Sequence, residues 1–238
     1  MYDPTDALAA IDADTAFIMG CLMVTALFAF VYFILAARLA IRQQVYVVPF
    51  AGAALFFWHD LTYVFMYDRW FHHYHHWWLK MWWYALVGTV VFEAYMIYQI
   101  IRYGHRELWP ELSRRAFTAL ILVGTLGVGA LWGVVKASLD DQLYFVTFAI
   151  TAVWSIPFHT ALMVKRRSRA GQSIAMQVSV IIMISAESLA FSRVDAFFRS
   201  PIYLSFVAAF VVWPLVNIYL IRRLPDFPTR ATAATSSC

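Results

Sequence analysis

"QQVYVVPFAGAALFFWHDLTYVFMY" (43–67) decides how this chain folds. The run has about the 20 residues that cross ~30 Å of hydrocarbon at 1.5 Å per residue, yet it holds His59 and Asp60 side by side. Further runs of the same kind lie on either side. The expected spans are 16–41, 45–67, 78–102, 116–136, 143–164, 173–193 and 202–221. Composition points the same way: of 238 residues, 63% are hydrophobic and 13% charged, whereas a soluble domain is roughly half apolar. The expected fold is therefore all-α, a polytopic membrane protein with seven transmembrane helices over residues 1–224. A disordered cytoplasmic tail rich in Ala, Thr and Ser follows over 225–238.

Charge fixes the expected orientation. Thirteen cationic residues fall in alternate segments, among them Arg38, Arg102, Lys165 and Arg222, against five in the opposite segments (Arg69, Lys80, Lys136, Arg193 and Arg199). Basic residues stay on the cytoplasmic side, so the N-terminus is expected outside and the C-terminus inside, in the cell membrane of a bacterium. The alternation works only with seven crossings, which supports that expected count. The net charge of +4 is then a matter of topology and calls for no nucleic acid. Asp3, Asp6, Asp12 and Asp14 precede the first span, where a cleavable signal would carry positive charge. Trp70, Trp77, Trp78, Trp109 and Tyr203 sit at expected helix ends, as interfacial belts do.

The fourth span is Gly-rich, "VGTLGVGALWG" (123–133), with Gly129 and Gly133 spaced for close helix packing. Laying 43–61 over "GQSIAMQVSVIIMISAESL" (171–189) brings His59 over Glu187, and "MIYQIIR" (96–102) pairs with "NIYLIRR" (217–223). A 3+1+3 parallel repeat follows if the alignment is more than coincidence.

Three carboxylates fall within spans: Asp60, Glu93 and Glu187. Each costs at least ~2.5 kcal/mol at bilayer depth if charged, so such groups face a cavity or a partner. They are the candidate catalytic acids, with Asp60 as proton donor in the outer third of its helix; anchoring between helices is the plainer alternative. Phe56, Asp60, Tyr63 and Tyr67 share a helical face. With Trp58, these aromatics are candidates to line a substrate site, since ring faces attract cations. His59 points about 100° from Asp60 and is expected to meet another helix, relay protons or bind metal.

Two families share features with the chain. "IPFHTALMVKRRSRAGQS" (156–173) resembles a PQ-loop, with Pro157-Phe158 in place of Pro-Gln, and 43–58 is similar to the proline-started second helix of SWEET-type sugar transporters. That resemblance implies a small-solute transporter hinged at Pro49 and Pro157. "PFAGAALFFWHD" (49–60) resembles the second helix of fungal-type membrane-bound meroterpenoid cyclases, where a Trp is followed by a carboxylate. That resemblance implies a metal-independent cyclase or isomerase of a lipophilic prenyl-type substrate, with the acid role on Asp60. Those cyclases carry a second carboxylate in the last helix; here "WPLVNIYL" (213–220) has Asn217, a candidate substrate contact.

"DRWFHHYHHWW" (68–78) contains His72, His75 and His76 in the H-x-x-H-H spacing of membrane di-iron enzymes. The further boxes such sites need are absent, so neither metal nor cofactor is expected. The two cysteines, Cys21 and Cys238, suggest no disulfide framework or zinc site. The expected partners are a lipophilic small molecule and membrane lipids; a subunit role in a larger membrane complex stays open.

Overall fold

The computed structural model describes residues 2–225. They form nine α-helices and, among the described residues, no strand. The helices are α1 (Pro4–Ala13), α2 (Thr15–Gln43), α3 (Phe50–Val64), α4 (Trp77–Tyr103), α5 (His105–Leu108), α6 (Arg114–Ser138), α7 (Phe145–Arg166), α8 (Ile174–Phe191) and α9 (Pro201–Arg223). Six of these (α2, α4, α6, α7, α8 and α9) are long and apolar enough to cross a membrane, the mark of an integral membrane protein. Apart from Pro225, the tail expected over 225–238 lies outside the described residues.

The expected span 45–67 comes out differently. Its helix, α3, has only 15 residues, about 22 Å at 1.5 Å per residue, so helix length alone does not reproduce a count of seven. Proline explains the late start: Pro49 has no N–H to give and caps α3 from an extended conformation. Residues 45–48 before it are buried, and non-helical backbone is tolerated at such a place only where protein satisfies it. It is satisfied: Arg166 Nη2 donates to the Tyr46 carbonyl at 3.1 Å, and Gln172 Nε2 to that of Val47 at 3.2 Å.

The other helix ends follow ordinary capping chemistry. Asp3, Ser113, Ser173 and Ser200 accept backbone N–H groups at the starts of α1, α6, α8 and α9. Gln44 and Arg167 close α2 and α7 in the left-handed conformation. After α3 the chain makes one π-helical turn at Arg69–His73.

α2 packs along α8, α3 along α4, and α9 against α8, while α3 also touches α6 and α7. α3 is thus held by three helices, α4, α6 and α7. Its outer face is seated by the glycines of α6. The Trp58 ring lies on Gly129, where an added Cβ would fall 2.3 Å from Cε2, and the Phe50 ring lies on Gly124. Gly133, expected to help bring helices together, faces open space.

Two buried clusters tie the ends of the bundle. At one end Tyr2, on the segment leading into α1, gives its hydroxyl proton to Asp141 and packs on Phe145; the Asp141 carboxylate also accepts Thr147 N at 2.6 Å. At the other end Arg166 grips Glu107 with Nε and Nη2, at 3.0 and 2.8 Å, beneath the Tyr46 ring.

Candidate active site

A cavity of about 100 Å³ lies between α2, α3, α4, α7 and α8. Helical spacing selects what faces it. α3 offers Phe56 and Asp60, four residues apart; α4 offers Trp82, Leu86, Thr89 and Glu93; α7 offers Phe148, Thr151 and Ser155, with Tyr144 just before its first turn. The walls are mostly apolar and aromatic, and the acids stand together in one of them.

Asp60 is 5% exposed and fully engaged. Its Oδ1 accepts the Tyr144 hydroxyl, its Oδ2 accepts the Thr89 hydroxyl, and His59 Nδ1 lies 2.9 Å from Oδ1. The donors come from three directions, α3 itself, α4 and the start of α7. Glu93 is also buried and lines the same cavity. The Glu93 oxygen Oε2 is buried without a hydrogen-bond partner, and so is the Trp82 indole Nε1. Buried polar atoms are nearly always paired, and the exceptions call for an explanation.

Tyr144 reaches Asp60 from a strained backbone, φ +79°, in a region that residues with a side chain seldom adopt. Tyr63 and Phe148 hold its ring at 4.3 and 5.0 Å. Away from the acids the cavity has a smaller polar group. The Tyr32 hydroxyl lies 3.0 Å from His159 Nε2, and Ser155 lines the same cavity.

Of the candidates drawn from sequence, Asp60, Glu93 and Phe56 come together at this cavity. The others sit elsewhere. Glu187 is buried near Tyr203, away from the cavity lining. Trp58 turns to α6, where its Nε1 donates to the Thr125 carbonyl at 2.6 Å. Tyr63 is on the Asp141 side, hydrogen-bonded to the Asp141 carbonyl and to Thr147. Tyr67 is exposed and stacks on Phe71. Asn217 joins a chain in which its Nδ2 donates to Gln177 at 3.1 Å and its Oδ1 accepts from Thr160 at 2.6 Å. The expected shared face fails because α3 ends at Val64 and its neighbours differ along its length: the cavity at Phe56 and Asp60, protein at Tyr63.

His59 also corrects the expectation. The Cα positions of neighbours diverge by 100°, but both side chains are short and turn back to meet through Nδ1 and Oδ1. The imidazole is enclosed by the rings of Trp132 at 4.9 Å and Tyr144 at 4.5 Å. Thr89 and Tyr144 were not drawn from the sequence. Thr89 stands four residues before Glu93, and that pairing inside an apolar helix was the available signal.

Among the described residues no three His, Cys, Asp or Glu side chains converge as a metal site would need. In the histidine loop, His75 turns to the Phe71 carbonyl at 3.0 Å, and His76 lies 3.2 Å from Asp12. No protein-family model matches the chain, and neither a curated protein nor a solved structure does.

Proposed function

We propose that this is a membrane-embedded, metal-independent cyclase or isomerase of a lipophilic prenyl-type substrate. The observation that carries the reading is the meeting of two buried acids, Asp60 and Glu93, at the wall of an aromatic, apolar cavity. The pair delivers its proton to an alkene carbon or an epoxide oxygen. A neighbouring alkene supplies the π electrons that close the ring, forming one C–C bond and moving the positive charge along the chain. Phe56, Trp82 and Phe148 present ring faces to that charge. Loss of a proton back to the carboxylate ends the sequence, so the net change is an isomerisation needing no oxidant. Asp60 is held by three donors and positions the proton, and Glu93, with Oε2 free, is the group best able to pass it on. Seven crossings, with α3 and the buried, non-helical residues 45–48 completing the second, an outside N-terminus and a cytoplasmic C-terminus complete the proposal.

A second reading, a PQ-loop-like transporter, is favoured by one observation. Under the 3+1+3 alignment, packed pairs recur: α3 on α4 matches α8 on α9, and α2 on α8 matches α7 on α3. The cavity then lies between the two repeats, where transporters hold their solutes. Pro49 and Pro157 do not match, however: one caps α3 and the other is inside α7.

The test is turnover of a polyprenyl substrate by membranes containing the protein, followed by mass spectrometry. Asp60→Asn is expected to abolish product while the protein still folds. Unchanged product, or proton-coupled solute uptake into proteoliposomes, overturns the cyclase reading.

A further inference from the structure

We infer that the cavity is loaded sideways from the bilayer, through a portal between α2 and α4, by the chain of a prenyl lipid whose polar end meets Glu93. This rests on the lipophilic-substrate reading above and adds to it a route and an orientation.

The seam between α2 and α4 is thin. These two helices scarcely touch, although each packs closely on another neighbour. Small residues and rings frame the gap. Ala26 and Ala29 of α2 and Ala85 of α4 line the cavity and are only partly buried, so small side chains make up the wall here. Gly88 leaves a hollow on α4 in which an added Cβ would lie 3.9 Å from the Phe30 ring. Phe33 stacks on Phe92 at 5.5 Å, and Phe30 meets the same ring edge-on at 6.0 Å. Those contacts are rings alone, free to part by side-chain rotation without breaking a hydrogen bond.

The surface around the seam is apolar: Leu27, Ile34, Val87 and Val91 are exposed beside it. A molecule reaching this opening arrives from hydrocarbon, not from water. At the two ends Tyr2–Asp141 and Arg166–Glu107 tie the bundle with hydrogen bonds, the first buried and the second partly so.

Glu93 Oε2 and Trp82 Nε1 point to a polar group on the ligand. Both atoms are buried without partners, and both residues line the cavity. The two stand eleven residues, about 16 Å, apart along α4, so a ligand hydroxyl meets one of them, donating to Glu93 Oε2. A saturated chain would leave them unpaired.

The probe is a diazirine-bearing farnesol, added to the full chain in lipid nanodiscs and photolysed, with adducts located by tandem mass spectrometry. Adducts are expected on cavity residues, Phe148 and Met183 among them. Ala29→Trp fills the portal and lowers their yield several-fold, and Phe33→Ala raises it. Gly20→Leu, a change on α2 with open space around it, leaves the yield as it was. Gly88→Leu closes the seam from α4 should Ala29→Trp fail to fold. Cavity adducts at wild-type yield in folded portal variants, or adducts confined to the outer surface, overturn the portal. The readout is labelling, not turnover, so an active Asp60→Asn protein would sink the acid chemistry and leave the portal standing.

Discussion

Tyr144 and Asp60 lie 84 positions apart, and the hydroxyl of the first donates to Oδ1 of the second. The bond joins the start of α7 to the middle of α3 at the cavity wall. Tyr144→Phe removes that donor and leaves Thr89 and His59 in place. A hydrogen bond to a charged group contributes about 1.5–3 kcal/mol, so turnover is expected to fall roughly 10- to 100-fold. A purely structural tyrosine would lower the amount of folded protein with an unchanged pH profile; a positioning one moves the profile at constant protein.

Glu93→Gln keeps the shape of the pair and removes one carboxyl. A general acid is commonly worth 10²–10⁴-fold, and a loss of about that size is expected. Activity within a few-fold of wild type would assign the proton to Asp60 alone. Product yield per folded protein decides.

Gly129 and Gly133 belong to one motif but predict opposite outcomes. An alanine Cβ at 129 would meet the Trp58 ring at 2.3 Å, and overpacking of this kind costs about 1–3 kcal/mol. At 133 nothing lies within 4 Å, and Gly→Ala in a helix interior is expected to stabilise by roughly 0.5–1 kcal/mol. Thermal unfolding in detergent compares the two directly.

Arg166→Ala leaves Glu107 and the Tyr46 carbonyl without their shared donor. Removing one partner of a largely buried pair costs about 3 kcal/mol. Arg166→Lys is expected to restore only part of it, since an ammonium cannot make the forked contact seen from Nε and Nη2. Equal melting temperatures for the wild type and Arg166→Ala would show the cluster to be incidental.

Asp12 supplies a pH test away from the membrane. The Trp77 indole N–H, 2.9 Å from its Oδ1, and then His76 favour the charged carboxylate and hold its pKa below the ordinary 3.8. A lowered folded pKa means the contact's contribution is complete above the ordinary value and is lost as pH falls through the folded one. Trp77 emission should therefore titrate below the usual aspartate range, and Asp12→Asn should abolish the transition.

The long helices were legible because crossing a bilayer demands a length of apolar sequence that little else demands. The boundary of α3 was not, since hydropathy cannot separate the buried, non-helical residues 45–48 from the helix after them. Asp60 and Glu93 were found because an acid at that depth is costly anywhere. Their partners were harder. Tyr144 belongs to a turn, and its reach depends on a positive φ that no local pattern announces. Tyr63 was read onto the substrate side from helical spacing and Trp58 as an aromatic beside Asp60 in the sequence, but spacing gives a direction around the axis without saying which neighbour lies there. For α3 the neighbours include α6 and the Asp141 turn as well as the cavity.

Asp60 takes its donors from α3, α4 and the start of α7. No one of these elements can shift against the others without altering a bond to the same carboxyl. The group is thus a built-in strain gauge for the bundle, and its infrared carboxyl band should register any parting of α3, α4 and α7 as a substrate enters, with no label attached.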